Sequence, residues 1–318
     1  MQKKTINEAA NVANKIGKNI KTKKGKLIYA VVLVILAVAV LFIGGKMGLW
    51  KTPFSETAQS ERGVCKVHYI DVGQGDCELI ECDGKYMLID AGENGHETEV
   101  RNYLDSLNIK KLDYVIASHQ HSDHIGGLVE VLTEYEVANV IMPRLTKEQI
   151  PTNSTYSDFV KALEKSGAKV ISAKPGATYE LGGAGFEILG PVSDDAEDIN
   201  SMSVVVRLDY GSNSFLFTGD AETDEENEIL ETDANLDCDV LKVGHHGSTT
   251  SSGKKFLDAV SPSICVIPCG ADNKYGHPHK EITKRLAKYT DETYRTDICG
   301  DIVITSDGAN LTVEYENQ

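Results

Sequence analysis

From residue 63 onward the sequence predicts an α/β fold. Three observations carry this. Short β-branched runs are bounded by Gly-rich turns, segments of helical period lie between them, and ligand-type side chains gather just after several apolar runs. A strand of period 2 and a helix of period 3.6 each present one apolar face. Their alternation along one chain calls for helices packed on sheets.

Val64–Ile70, Cys77–Glu81 and Tyr86–Ile89 read as strands, separated by turns at Gly73-Gln74-Gly75 and Asp83-Gly84. Glu97–Leu107 reads as a helix, because Val100, Tyr103, Leu104 and Leu107 fall at i, i+3, i+4 and i+7. Val115–Ala117 is a strand that delivers a polar cluster, and Gly127–Thr133 opens the helix behind it. Further strands are expected at Val137–Met142, Lys169–Ile171, Phe186–Leu189, Val204–Leu208, Ser214–Phe217, Val240–Val243 and Ile264–Ile267. Helices are expected at Ser157–Ser166, Glu222–Glu231, Lys254–Val260 and Lys280–Tyr289. The chain closes with strands near Ile302–Ile304 and Leu311–Tyr315, and Asp194–Asp198 reads as a solvated acidic loop.

The segment before residue 63 differs in kind. Residues 1–26 hold eight lysines against one acid, Glu8, and read as a cytoplasmic basic tail. Residues 27–45 are 19 uncharged residues between Lys26 and Lys46, close to the roughly 20 that cross a bilayer as a helix. Lysines ahead of the span place the N-terminus in the cytoplasm, so the expectation is a single-pass protein of the cell membrane with an extracellular C-terminal domain. A cleaved signal peptide competes, since Ala37-Val38-Ala39 resembles a cleavage site, but the apolar run continues past it and favours an uncleaved anchor. Residues 46–62 read as a linker and 63–318 as the folded domain.

From residue 55 onward 22 basic residues face 47 acidic ones, a net charge of −25. That balance argues against indiscriminate adhesion to nucleic acid or anionic lipid. The seven cysteines show no paired metal-type spacing, and several sit inside apolar runs, where a buried thiol is the default.

The chemistry concentrates in Ser118-His119-Gln120-His121-Ser122-Asp123-His124, directly after an apolar strand and ahead of Gly126-Gly127. In an extended segment residues i and i+2 point the same way, so His119 and His121 can converge on one ion while Asp123 and His124 reach a second. Imidazole and carboxylate suit zinc and similar divalent ions. Phe215-Leu216-Phe217-Thr218-Gly219-Asp220 is a buried strand that ends in a carboxylate able to bridge two cations, or to cap the acidic helix that follows. Leu241-Lys242-Val243-Gly244-His245-His246-Gly247-Ser248 is another strand ending in ligand-type residues.

Together these residues resemble the metallo-β-lactamase superfamily over most of the chain after residue 63. His119, His121, Asp123 and His124 match its His-x-His-x-Asp-His pattern, and Asp90 in Leu88-Ile89-Asp90-Ala91-Gly92 matches its earlier aspartate. Asp220 matches the bridging carboxylate. His246 matches the late histidine, with His245 the alternative. The resemblance implies a four-layer αββα sandwich holding two divalent ions, Zn or Mn. Finer motifs are similar to the hydrolase domain of the ComEC-type competence DNA-uptake channel and its stand-alone relatives. They are Asp71-Val72-Gly73-Gln74-Gly75-Asp76, Asn200-Ser201-Met202-Ser203, Thr218-Gly219-Asp220-Ala221-Glu222, His245-His246-Gly247-Ser248 and Tyr275-Gly276-His277-Pro278-His279.

One departure bears on substrate. Many superfamily members carry a histidine between the first cluster and the bridging aspartate, whereas here no histidine occurs between His124 and His245, and Asn200 stands near the matching place. That points away from lactams and thioesters. The ComEC-like group and bacterial choline-phosphate esterases look similar in lacking this ligand.

The resemblance therefore implies a two-metal phosphodiesterase or nuclease, with single-stranded DNA or another phosphodiester as substrate. Asp123 and Asp90 act at the centre, Asp90 by orienting a ligand histidine or the attacking water. His277 contacts phosphate or protonates the leaving group, with His279 and a structural turn as competitors. Ser201, Ser203 and Ser248 brace the loops. Two alternatives stand beside this: a phosphodiesterase on a small or envelope-attached ester such as phosphocholine, and a non-catalytic module that keeps its metals for folding.

Overall fold

The computed structural model describes residues 63–317. The expected tail, anchor and linker lie outside the described residues. Among the described residues no helix is long and apolar enough to cross a membrane.

The strands of the described residues form two sheets. The first has eight strands, in the order β15 (Leu311–Tyr315), β14 (Ile302–Ser306), β1 (Cys65–Tyr69), β2 (Glu78–Cys82), β3 (Lys85–Ile89), β4 (Lys111–Ile116), β5 (Glu136–Met142) and β6 (Lys169–Ser172). The second has seven, in the order β13 (Thr293–Arg295), β12 (Ile264–Ile267), β11 (Val240–Lys242), β10 (Asn213–Phe217), β9 (Val206–Tyr210), β8 (Ala184–Ile188) and β7 (Thr178–Leu181). Each sheet is antiparallel on one side and parallel on the other. The parallel halves run through β3–β4–β5–β6 and through β10–β11–β12–β13. Parallel neighbours end on the same edge, so the loops that leave β3 and β4 share one rim of their sheet. Those that leave β10, β11 and β12 share one rim of the other.

Three apolar cores define four layers. Ile80, Ile116, Phe186, Val206, Phe215 and Phe217 pack between the sheets. Leu88, Val115 and Val140 face the other way, onto Leu104, Leu132 and Phe159 from helices Glu97–Ser106, Leu128–Glu134 and Ser154–Ser166. On the far side Leu216, Leu241 and Cys265 meet Ile229, Phe256 and Ile282 from helices Thr223–Leu230, Lys254–Val260 and Lys280–Leu286. The period-2 alternation of β10 does this directly, with Phe215 and Phe217 inward and Leu216 outward. Truncating Phe215 to Ala would cost about 3–5 kcal/mol. The architecture is the αββα sandwich.

Two strands escape a sequence reading. β7 and β13 are the outer strands of the second sheet and are largely exposed or half-buried, so no apolar pattern marks them. β9 begins at Val206 rather than Val204. Val204 is buried but donates its N–H to the Ser118 carbonyl at 2.8 Å, tying the second sheet to the His-rich loop of the first. The seven cysteines are all buried and free of disulfides.

Candidate metal centre

The rims converge on Asp220. Its Oδ2 lies 3.3 Å from His124 Nε2, 3.6 Å from His246 Nε2, 3.6 Å from His245 Nε2 and 4.0 Å from His119 Nε2. Asp123 adds a second carboxylate, its Oδ2 3.5 Å from His246 Nε2. Asp123, His124, Asp220 and His246 each offer one atom within 4.8 Å of the others, a compact four-donor group. His119 and His121 sit beside it more loosely, with His119 Nε2 3.0 Å from His121 Nδ1.

Backbone geometry explains how the chain delivers these groups. After β4 the chain turns through the short helix Ser122–Ile125, which packs tightly against the Asp90 loop. A Cβ on Gly127 would stand 2.1 Å from the Ala91 carbonyl oxygen, and one on Gly126 would stand 2.4 Å from Asn94 N. Only glycine permits that approach. The late loop carries two successive left-handed residues, His245 (φ 49°) and His246 (φ 50°). Strain of this kind costs about 1–3 kcal/mol per residue and gathers at functional sites. Here it throws two adjacent imidazoles toward one carboxylate.

Hydrogen bonds set which nitrogen faces the centre. Asp90 accepts from Ser118 N at 2.8 Å and Ser118 Oγ at 2.5 Å, and its Oδ2 lies 2.7 Å from His124 Nδ1. With Nδ1 donating to Asp90, His124 turns Nε2 toward Asp220. His246 Nδ1 faces the Pro268 carbonyl at 3.0 Å and Asp76 Oδ1 at 3.2 Å, so its Nε2 also points inward. His124 Nε2, His246 Nε2 and Asp220 Oδ1 are buried without a hydrogen-bond partner. Buried polar atoms of this kind need partners, and the two orphaned imidazole nitrogens, both facing Asp220 Oδ2, fit a cation.

The electrostatics agree. Burial disfavours charge on Asp220, but His246 and His124 outweigh it and hold the carboxyl well below its usual range. Burial likewise opposes charge on His246, yet Asp220 and Asp76 overcome it and raise the imidazole to about 10. His124 is raised too, Asp220 and Asp90 outweighing its burial, whereas burial holds His119 and His121 below the usual histidine value.

His277 flanks the group rather than joining it. Its ring lies 5.5 Å from that of His245 and 6.2 Å from that of His246, and its Nδ1 is buried without a partner. Burial and the neighbouring histidines push it down to about 4, so it is neutral at pH 7. His279 is tied up, accepting from Thr249 N at 3.0 Å. Ser203 Oγ accepts from Asp220 N at 3.0 Å and Ser248 Oγ meets Thr250 Oγ1 at 3.0 Å, the bracing roles expected of them.

Two residues beneath the site escape the sequence reading. Lys242 is fully buried, pairs with Asp76 Oδ2 and donates to the Gly219 carbonyl at 2.6 Å. Its cation also lies 4.0 Å from Asp220 Oδ1. The available signal was a lone charge in the otherwise apolar run Val240–Val243, just before the paired histidines.

The chain belongs to the metallo-beta-lactamase superfamily, whose model matches residues 70–270. Within it the similarity is to ComEC-type competence proteins. The chain is 29% identical to ComE operon protein 3 of Bacillus subtilis (strain 168), over 74% of this chain and 32% of that protein. It is 32% identical to competence protein ComA of Neisseria gonorrhoeae, over 72% of this chain and 30% of that one. The chain thus spans about a third of the length of these curated relatives. In fold it is similar to CmlA, a diiron beta-hydroxylase from Streptomyces venezuelae, with a TM-score of 0.52 at 14% identity, over 75% of this chain and 53% of that one.

Proposed function

We propose that this superfamily hydrolase is a two-metal phosphodiesterase, anchored by residues 27–45 and acting outside the membrane on a nucleic-acid strand. The observation that carries the two-metal part is Asp220 Oδ2, a single carboxylate oxygen within 4.0 Å of four imidazole nitrogens. One oxygen so surrounded is placed to bridge two cations. His119, His121 and Asp220 would hold one ion, and Asp123, His124, Asp220 and His246 the other. When bound, such ions supply Lewis acidity toward a water and the phosphoryl oxygens.

The chain's own residues do the rest. Asp90 keeps His124 in the tautomer that presents Nε2. Asp123, on the open side of the compact group, is placed to orient a water. His277, neutral at pH 7, has an N–H to donate to a phosphoryl oxygen, and that suits it to holding substrate better than to delivering a proton. The similarity to competence proteins supports a DNA substrate, and the absence of a histidine between His124 and His245 supports a phosphodiester over a lactam or thioester.

A second substrate reading has its own observation. Glu148, Asp195, Glu197 and Asp198 line a cleft of about 640 Å³, and Asp198 accepts from Asn200 N at 2.9 Å. An acidic wall of this kind suits a substrate that carries a cation, such as a phosphocholine ester. Purified protein loaded with Mn²⁺ or Zn²⁺ should be assayed on bis(p-nitrophenyl) phosphate, single-stranded DNA and a phosphocholine ester. Cleavage of DNA supports the nuclease, and cleavage of the choline ester alone replaces it with the second reading. Inactivity on all three with both metals would overturn the phosphodiesterase and leave a metal-stabilised binding module.

A further inference from the structure

The two groups of donors around Asp220 are unequal. The compact group has two imidazoles and two carboxylates, whereas the other has His119, His121 and the shared Asp220. A four-coordinate ion held by three protein donors has room for a fourth. His119 Nε2 is 4.0 Å from Asp220 Oδ2, and His121 contacts His119.

His245 stands where a further donor would be needed. Its Nε2 is 3.6 Å from Asp220 Oδ2, as near as that of His246, although the two rings lie at 73° to one another. On its other side Nδ1 is 3.2 Å from Glu222 Oε1 and 3.3 Å from Thr250 Oγ1. A carboxylate on Nδ1 fixes the tautomer that presents Nε2, the arrangement that commonly stands behind metal-bound histidines. Glu222 is itself held, accepting from Thr250 Oγ1 at 2.9 Å and from Asn200 Nδ2 at 3.2 Å. Asn200 is the residue found near the place of the missing mid-chain histidine. Instead of reaching the centre, it braces the carboxylate that aims His245.

We propose that His245 is the third imidazole donor to the ion held by His119 and His121, oriented by Glu222 and, through it, by Asn200. The tandem left-handed backbone of His245 and His246 then has a stated purpose, since it splits neighbouring histidines between two ions that share Asp220. The inference rests on the two-ion reading above.

The test is metal content. Wild type, His245→Asn and His245→Gly are dialysed against Mn²⁺ or Zn²⁺ and counted by elemental analysis. Asparagine and glycine both tolerate positive φ, so the loop keeps its path, which chelated-state melting curves check. Two ions per chain in wild type and one in both variants is the expected result. Glu222→Gln should weaken the same ion by about 10–100-fold and leave the other unchanged. Two ions of unchanged affinity in both His245 variants would overturn the proposal while the two-ion reading stands. A single ion in wild type would overturn both. In metal-loaded crystals, anomalous density should place an ion about 2.0–2.1 Å from His245 Nε2 if it is zinc.

Discussion

Replacing Lys242 with methionine tests how the centre is held together before any metal arrives. The side chain is fully buried and carries a cation that touches Asp76, Gly219 and the edge of Asp220. Burial alone would discharge it, but Asp76, Asp220 and Glu78 outweigh that and keep the ammonium charged, just as Lys242 and His246 keep Asp76 ionised against its own burial. Methionine matches the volume, leaves Asp76 with the His246 imidazole but no ammonium beside it, and leaves the Gly219 carbonyl with only the His245 N–H as donor. Breaking one half of a buried pair costs about 3–5 kcal/mol, and the lost charge-assisted hydrogen bond, about 1.5–3 kcal/mol by itself, overlaps with that figure. Urea unfolding at pH 7 with a chelator present should therefore show Lys242→Met less stable than wild type by about 3–5 kcal/mol. Removing both charges in Asp76→Leu with Lys242→Met should recover much of the loss, since an apolar pair of similar size can match a buried ion pair. A loss below about 1 kcal/mol in the single variant, within the range of an ordinary surface pair, would refute the reasoning.

Two further expectations follow from the same geometry. His121→Ala and Asp123→Ala should each abolish metal-dependent phosphodiester hydrolysis while circular dichroism stays native, and full activity in either would sink the two-metal reading. Glu226 is buried and accepts from Ser252 N at 2.5 Å and Gly253 N at 2.8 Å, yet burial pushes its carboxyl from 4.5 up to about 7. Between those values the folded chain holds a proton that the unfolded chain has released. Stability should thus fall as pH rises through that window, by up to about 3 kcal/mol from this group, and Glu226→Gln should flatten the curve measured by denaturant unfolding.

Much of this protein was legible in its sequence because the relevant signals are local. Apolar period separates strand from helix within a few residues, so Phe215-Leu216-Phe217 and Val240–Val243 declare themselves without reference to the rest of the chain. Ligand chemistry is local too. His119, His121, Asp123 and His124 fall within six residues, and Asp90, Asp220 and His246 each close an apolar strand. What depends on distant neighbours was not legible. The edge strands β7 and β13 gain their structure from pairing rather than from pattern. Asp76 and Lys242 are 166 positions apart in the numbering of the chain, and their pairing exists only because β11 ends above the loop that follows β1.

The paired histidines show the division most sharply. Residue types alone leave His245 and His246 interchangeable as late ligands, because they are the same side chain one position apart. Tertiary structure separates them through what stands behind each ring, Pro268 and Asp76 for His246, and Glu222 and Thr250 for His245. Sequence determined the donor chemistry and the layered fold, since both are written in short-range pattern. Only the packed chain decided which nitrogen of each ring faces Asp220, because that depends on hydrogen-bond partners delivered from other strands.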